Sequence, residues 1–309
     1  MSDDRRLLMI GAMYENGGNT THRLLDGHEQ LLVYPFESQL GTSLVTDMLS
    51  ATFPAKYRWP VFALDATPRD DYMAIIDEEC KVRTRTPQVS KFRNVPLEMS
   101  DEERLEAYLA HVERSGRSRP NNVKAFFRAT FETWKNLRTS GREVFYVGYS
   151  PIITVDAEQI LMDVPDSQFL HIVRNPWSAY ADTKKRAVPL GLDQYMLGWS
   201  IAQHFALTLR DRYAGRMHVL RLEDILQDPV TILGDFCRSI GLERSGSLAQ
   251  PSWNGGALDQ VYPWGTIRDA TPAANEATAG DLSDHERQRV REGAGLFLDA
   301  LGYTDFVAR

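Results

Sequence analysis

Arg174 opens the segment best suited to hold an anion: His171-Ile-Val-Arg174-Asn175-Pro176-Trp-Ser-Ala-Tyr-Ala-Asp182-Thr183-Lys184-Lys185-Arg186. Apolar residues run up to Arg174 as in a buried strand, and Asn175-Pro176 then opens a helix. Open α/β sheets bind ligands at strand ends, and a guanidinium is a planar fork matched to phosphate. Arg186 lies at a separation one helix spans, with Lys184 and Lys185 beside it. The same residues also read as a solvated basic helix end, favourable to the dipole at a helix C-terminus. A second candidate is Tyr14-Glu15-Asn16-Gly17-Gly18-Asn19-Thr20-Thr21-His22. Glycines let a backbone wrap an anion, the next helix offers free amides, and the threonine hydroxyls add donors. The lysine of a nucleotide-triphosphate loop is missing. An ordinary glycine-rich turn with a helix cap has this composition too.

Strands must hold both segments at one edge. Arg6-Leu-Leu-Met-Ile-Gly-Ala-Met13 is a continuous apolar run that feeds the first segment, as expected of a buried parallel strand. Leu31-Leu-Val-Tyr34, Val144-Phe-Tyr-Val-Gly-Tyr149, Phe169-Leu-His-Ile-Val173 and Met217-His-Val-Leu-Arg-Leu222 are similar, with helical pattern between them. The alternation predicts an α/β fold with a central parallel sheet. A mostly helical insertion is expected at about residues 41 to 140, inside a single domain covering 1–309. Ser100-Asp-Glu-Glu103 reads as a capping box, and Phe126, Phe127, Phe131, Trp134 and Leu137 give an amphipathic helix from Val123. Pro251 to Ala279 reads as a long loop, and Ser283-Asp-His-Glu286 caps a final helix.

A net charge of −7 argues against a nucleic-acid binder, so an anionic ligand requires a local basic cluster. Cys80 and Cys237 are too few for a disulfide framework or a metal cage and read as reduced buried thiols. The start of the chain has neither a signal peptide nor a membrane-length apolar run, which makes the cytoplasm the expected location.

The ordered set of segments resembles the sulfotransferase family. Besides the two anion segments it includes Leu24-Leu-Asp-Gly-His28-Glu-Gln-Leu-Leu-Val-Tyr-Pro-Phe-Glu37, Val147-Gly-Tyr-Ser-Pro151, Val219-Leu-Arg-Leu-Glu-Asp224 and Trp264-Gly-Thr-Ile-Arg268. The resemblance implies a P-loop-like three-layer sandwich that uses 3′-phosphoadenosine 5′-phosphosulfate without a metal. It moves the sulfuryl group to an acceptor hydroxyl: a carbohydrate, lipid-linked or other small molecule, with peptide tyrosine behind them. It implies Glu37 as the base, by likeness to tyrosylprotein sulfotransferases, against a capping or salt-bridged role. His22 is the other candidate base, and His28 reads as part of a structural turn. The first loop, with Gly17, Gly18, Asn19, Thr20 and Thr21, corresponds to the 5′-phosphosulfate site. Arg174, Asp182, Thr183 and Arg186 correspond to the 3′-phosphate site, with Arg268 reaching back from the C-terminal loop.

Three positions depart from the family. Glu15-Asn16 stands where a basic residue precedes the glycine, so the leaving-group cation is unassigned. The family's paired threonines align with Thr20-Thr21 or, counting back from Leu24-Leu25-Asp26, with Gly18-Asn19. Asp182 replaces a serine, which leaves Thr183 as the neighbouring donor. Two other functions share the pattern: a kinase-like phosphoryl transferase, which needs magnesium ligands and a loop lysine, and a non-catalytic nucleotide- or glycan-binding protein.

Overall fold

The computed structural model describes residues 4–258 and 271–306. β1 (Arg6–Ala12) leads to α1 (Gly18–Leu25) and β2 (Leu31–Val33). Helices α2 (Pro68–Ala74), α3 (Glu78–Arg85), α4 (Asp101–Ser115) and α5 (Arg119–Thr133) follow. β3 (Phe145–Pro151), α6 (Ala157–Asp163), β4 (Gln168–Val173), α7 (Pro176–Thr183), α8 (Leu192–Arg212) and β5 (Met217–Arg221) complete the main sheet. Then come α9 (Leu222–Gln227), α10 (Pro229–Ser239), a small ribbon of β6 (Ser252–Trp253) and β7 (Gly256–Ala257), α11 (Pro272–Thr278) and α12 (Asp284–Leu298).

The five strands are parallel in the order β2-β3-β1-β4-β5, the α/β arrangement expected from sequence. Strand alternation sends Leu7 and Met9 into one core, with Phe126, Phe127, Phe131 and Tyr146. Leu8, Ile10 and Ala12 enter the other, with Leu24, Leu25, Val147 and Phe236. From β1 the chain turns through α1 toward β2 on one side, and from β4 it turns through α7 and α8 toward β5 on the other. β1 and β4 are neighbours, so a crevice opens between their C-terminal ends, where such sheets bind ligands.

Four local expectations need correction. The predicted helix through Leu137 ends at Thr133, and residues 42–66 carry only short 3-10 turns. Ser100 accepts the amide of Glu103, but Glu103 pairs with Lys135 and closes no box. The box at Ser283 and Glu286 is complete. Where a long loop was expected after Pro251, β6, β7 and α11 form, while residues 259–270 lie outside the described part. Both cysteines are free and buried.

The insertion is fastened to the sheet by ions in its core. Arg104 of α4, fully buried, donates to Asp77 (2.8 Å), Asp101 (2.9 Å) and the Tyr72 hydroxyl (2.8 Å). The amides of Ile76 and Asp77 donate to the carbonyls of Gly41 and Gln39, tying the start of α3 to the segment that leaves β2. Burial raises the Asp77 carboxyl above its usual range, and Arg104 is the main opposing influence. Arg104→Met is therefore expected to cost about 3–5 kcal/mol in urea unfolding, because it strands a buried carboxylate. An unchanged midpoint would show that the ions do not hold the insertion in place.

Candidate active site

The loop after β1 reverses direction within a few residues. The Asn16 amide donates to the Met13 carbonyl at 3.1 Å, and Gly17 adopts a left-handed φ of 85° as the residue before α1. A Cβ on Gly17 would lie 2.4 Å from Leu222 and one on Gly18 2.2 Å from Tyr149, so the backbone runs bare here. The Thr21 amide is the first to reach back one turn, to the Gly17 carbonyl, which leaves the amides of Gly18, Asn19 and Thr20 without helical acceptors. These are the groups with which a helix N-terminus holds an anion. Asn19 is nine-tenths buried and its Oδ1 has no partner among the described residues.

Gly17, Gly18 and Asn19 line a cavity of about 510 Å³ whose wall does not include Thr20 or Thr21. Thr21 is fully buried and its hydroxyl donates to the Gly17 carbonyl at 3.1 Å. Because α1 starts at Gly18, the helical period turns both threonines inward. The structure thus brings Gly18-Asn19 to the cavity in place of the threonine pair.

The Arg174 segment holds a closed network. Arg174 is nine-tenths buried, and its Nη1 donates to the Glu15 carbonyl (3.0 Å) and to Asp182 (2.8 Å) while its Nε donates to Asn275 of α11. Asn275 donates to Glu223 at 3.0 Å, and Glu223 also accepts from Asn175 (2.8 Å) and the Tyr303 hydroxyl (2.6 Å). The Ser178 hydroxyl donates to the Asn275 carbonyl at 2.6 Å. Asp182 is the ion-pair partner of the arginine, so a phosphate meeting Nη1 or Nε competes with Asp182 or Asn275.

Two expectations about this segment are corrected. Thr183 is fully buried and donates to the Ala179 carbonyl at 2.8 Å, the usual helix back-bond, so its hydroxyl is engaged within α7. Arg186 does not share a helix with the strand end: α7 stops at Thr183, and Arg186 sits in the turn beyond. Lys184 pairs with Glu286, and Lys185 with Asp281 and Asp182, so neither contributes a free charge. Arg186 alone of the three lines the cavity, its guanidinium 4.5 Å from the Tyr14 ring centre and 3.6 Å from the Glu15 carboxylate. Arg268, with its segment from Trp264, falls outside the described residues.

Glu37 lies on the same cavity wall. Its amide donates to Glu79 at 3.1 Å, and Glu79, nearly buried on α3, is paired with Lys91. Burial pushes the Glu37 carboxyl up to about 8, with the Glu79 charge adding to the rise and Lys91 opposing it. A carboxyl tuned toward neutrality beside an anion cradle has the properties of a general base. The histidines do not compete. His22 is fully buried and held neutral by burial and by Arg23, and it is not on the cavity wall. His28 lies 3.0 Å from the Glu243 carbonyl and accepts the Gln30 amide, a structural turn. Glu79, Lys91, Gln39 and Asn275 belong to the two sites without having been singled out from sequence; Gln39 is two residues from Glu37, and the other three come from stretches distant in the chain from Glu37 and Arg174. A second cavity, of about 530 Å³, is lined by Glu223, Asp224, Glu276 and Asp305 with Arg221 and Arg287, and its wall includes none of Gly17, Gly18 and Asn19.

Residues 17–246 match the sulfotransferase family, and the chain belongs to it. No curated protein matches the chain. Among solved structures it is similar to the sulfotransferase domain of the Synechococcus PCC 7002 olefin synthase, at 14% identity over 96% of each chain, with a TM-score of 0.50. It is also similar to the sulfotransferase domain of the curacin biosynthetic pathway, at 13% identity over 96% of this chain and 98% of that one, with a TM-score of 0.52. At these identities the likeness carries the fold.

The raised Glu37 carboxyl has a measurable sign. Between its ordinary value and about 8 the folded chain keeps a proton that the unfolded chain releases, so stability falls as pH rises through that window. Glu37→Gln removes the titration. The melting temperature of the variant minus that of the native chain should therefore grow from pH 5 to pH 8; a difference independent of pH would contradict the shift.

Proposed function

We propose that the protein transfers a sulfuryl group from 3′-phosphoadenosine 5′-phosphosulfate to the hydroxyl of a carbohydrate, lipid-linked or other small acceptor. One observation carries this reading: the free amides at the start of α1 and the near-neutral carboxyl of Glu37 face one cavity. Membership of the sulfotransferase family supports it. The donor supplies an activated sulfuryl group. The backbone from Gly17 to Thr20 holds the phosphosulfate end with the amides that open α1, and Asn19, whose buried Oδ1 has no partner among the described residues, lines the same cavity. Glu37 accepts the proton of the attacking hydroxyl. The Glu79 charge adds to the rise of Glu37, and Lys91 opposes the rise that burial gives Glu79. Arg174 receives the 3′-phosphate in competition with its contacts to Asp182 and Asn275. On this reading residues 1–309 form one domain, with the helices between about residues 41 and 140 walling the acceptor space.

Calorimetry separates this function from its rivals. 3′-Phosphoadenosine 5′-phosphate should bind at least roughly tenfold more tightly than AMP, as expected when a second phosphate is held by a charged partner. Equal affinities would remove the 3′-phosphate assignment. Glu37→Gln should lower sulfuryl transfer by roughly a hundredfold or more while leaving 3′-phosphoadenosine 5′-phosphate binding within about twofold. Undiminished turnover would remove Glu37 as base.

A further inference from the structure

We infer that Arg186 is the cation of the transfer step, facing the departing 5′-phosphate rather than the 3′-phosphate. The assignment rests on the proposed sulfuryl transfer. It begins from a deficit: the loop Tyr14-Glu15-Asn16-Gly17 contributes no cation, and Asn16 is fully buried. Charge accumulating beside α1 must be met from elsewhere in the cavity, whose basic residues are Lys56, Lys91 and Arg186.

The three are not equivalent. Lys91 is paired with Glu79, and Lys56 with Glu78 at 3.0 Å. Arg186 approaches Glu15 only to 3.6 Å, beyond a good hydrogen bond. Its guanidinium is held by the face of Tyr14, 4.5 Å from the ring centre, and Tyr14 is braced edge-on by Tyr57 at 6.0 Å. Tyr14 follows β1 within the phosphate-binding turn, so this stacking places Arg186 beside the loop that lacks a cation. Arg174 takes no part in the cavity wall. The two arginines therefore serve different groups: Arg174 lies in the buried network at the end of β4, and Arg186 faces the cradle that also faces Glu37.

In the step this implies, the acceptor oxygen forms a bond to sulfur as its proton passes to Glu37. The bond from sulfur to the bridging oxygen of the 5′-phosphate breaks, and that electron pair stays on the phosphate oxygen. The guanidinium fork of Arg186 and the α1 amides meet the charge left there.

Calorimetry on the native chain and on Arg186→Gln, with 3′-phosphoadenosine 5′-phosphate, adenosine 5′-monophosphate and adenosine 3′-monophosphate, tests the assignment. Arg186→Gln should weaken both ligands that carry a 5′-phosphate by roughly tenfold and leave adenosine 3′-monophosphate within about twofold, while kcat falls by roughly 10²-fold or more. Retained binding of the 3′-phosphate ligand also shows that the variant is folded. Arg186→Lys, keeping the charge without the fork, should recover most of the binding and part of kcat. The assignment is overturned if the loss falls on adenosine 3′-monophosphate while the 5′-phosphate ligand is spared, or if no ligand is weakened. A native chain that fails to bind 3′-phosphoadenosine 5′-phosphate removes the proposed function and this assignment with it; normal native binding with an unaffected variant removes the assignment alone.

Discussion

The carboxamide of Asn16 fixes the ligand end of the sheet. It is fully buried, and its oxygen accepts the Arg174 amide at 3.0 Å while its nitrogen donates to the Tyr14 carbonyl at 2.8 Å and the Tyr195 hydroxyl at 3.0 Å. One side chain thus joins the turn after β1, the turn after β4 and helix α8. Only an amide has both polarities within this reach; a carboxylate lacks the donors, and an apolar residue strands several buried groups at about 1–3 kcal/mol each. The left-handed turn at Gly17 and the placement of Arg174 are set against each other by this group. Asn16 thus gives this loop rigidity and no charge.

Contacts of this long-range kind decide which parts of the site were legible in sequence. The five strands and the glycine turn follow from continuous apolar runs and local motifs, whose physics lies within a few residues, whereas Glu37 was reached only through the family resemblance. The partners of Arg174 follow from neither. Asp182 was readable only as an anomaly beside a phosphate, because its ion pair depends on α7 returning its second turn toward the strand end. Asn275 comes from a stretch that reads as loop and whose capping Thr271 carries a weak signal. Thr183 had suitable chemistry and the wrong direction: a hydroxyl inside a helix finds the carbonyl four residues back before it finds a ligand. The length of α7 decided Arg186. A helix continuing past Thr183 would have carried it along the Arg174 segment, whereas the observed stop lets it fold over Tyr14.

Net charge sharpens this point. At −7, the chain surrounds most of its cations with carboxylates, and a basic cluster in the sequence is therefore a poor measure of available positive potential. Lys184 and Lys185 stitch the end of α7 to α12 and to the turn before it. What distinguishes Arg186 is the quality of its partner, an aromatic face that orients a guanidinium while leaving its in-plane donors available.

The insertion and the candidate base are mechanically one unit. Arg104 holds Asp77, Asp77 begins α3, and α3 delivers Glu79 to the amide of Glu37. The basicity of Glu37 comes from its burial and from the nearby Glu79 charge, both of which require α3 to stay where the ions fasten it. Loosening the insertion would admit water, separate the two carboxylates and return Glu37 toward an ordinary, weaker base. Reshaping the helices that wall the cavity therefore also changes the surroundings that set the Glu37 carboxyl. The shape of the cavity and the tuning of Glu37 are linked through the same buried arginine.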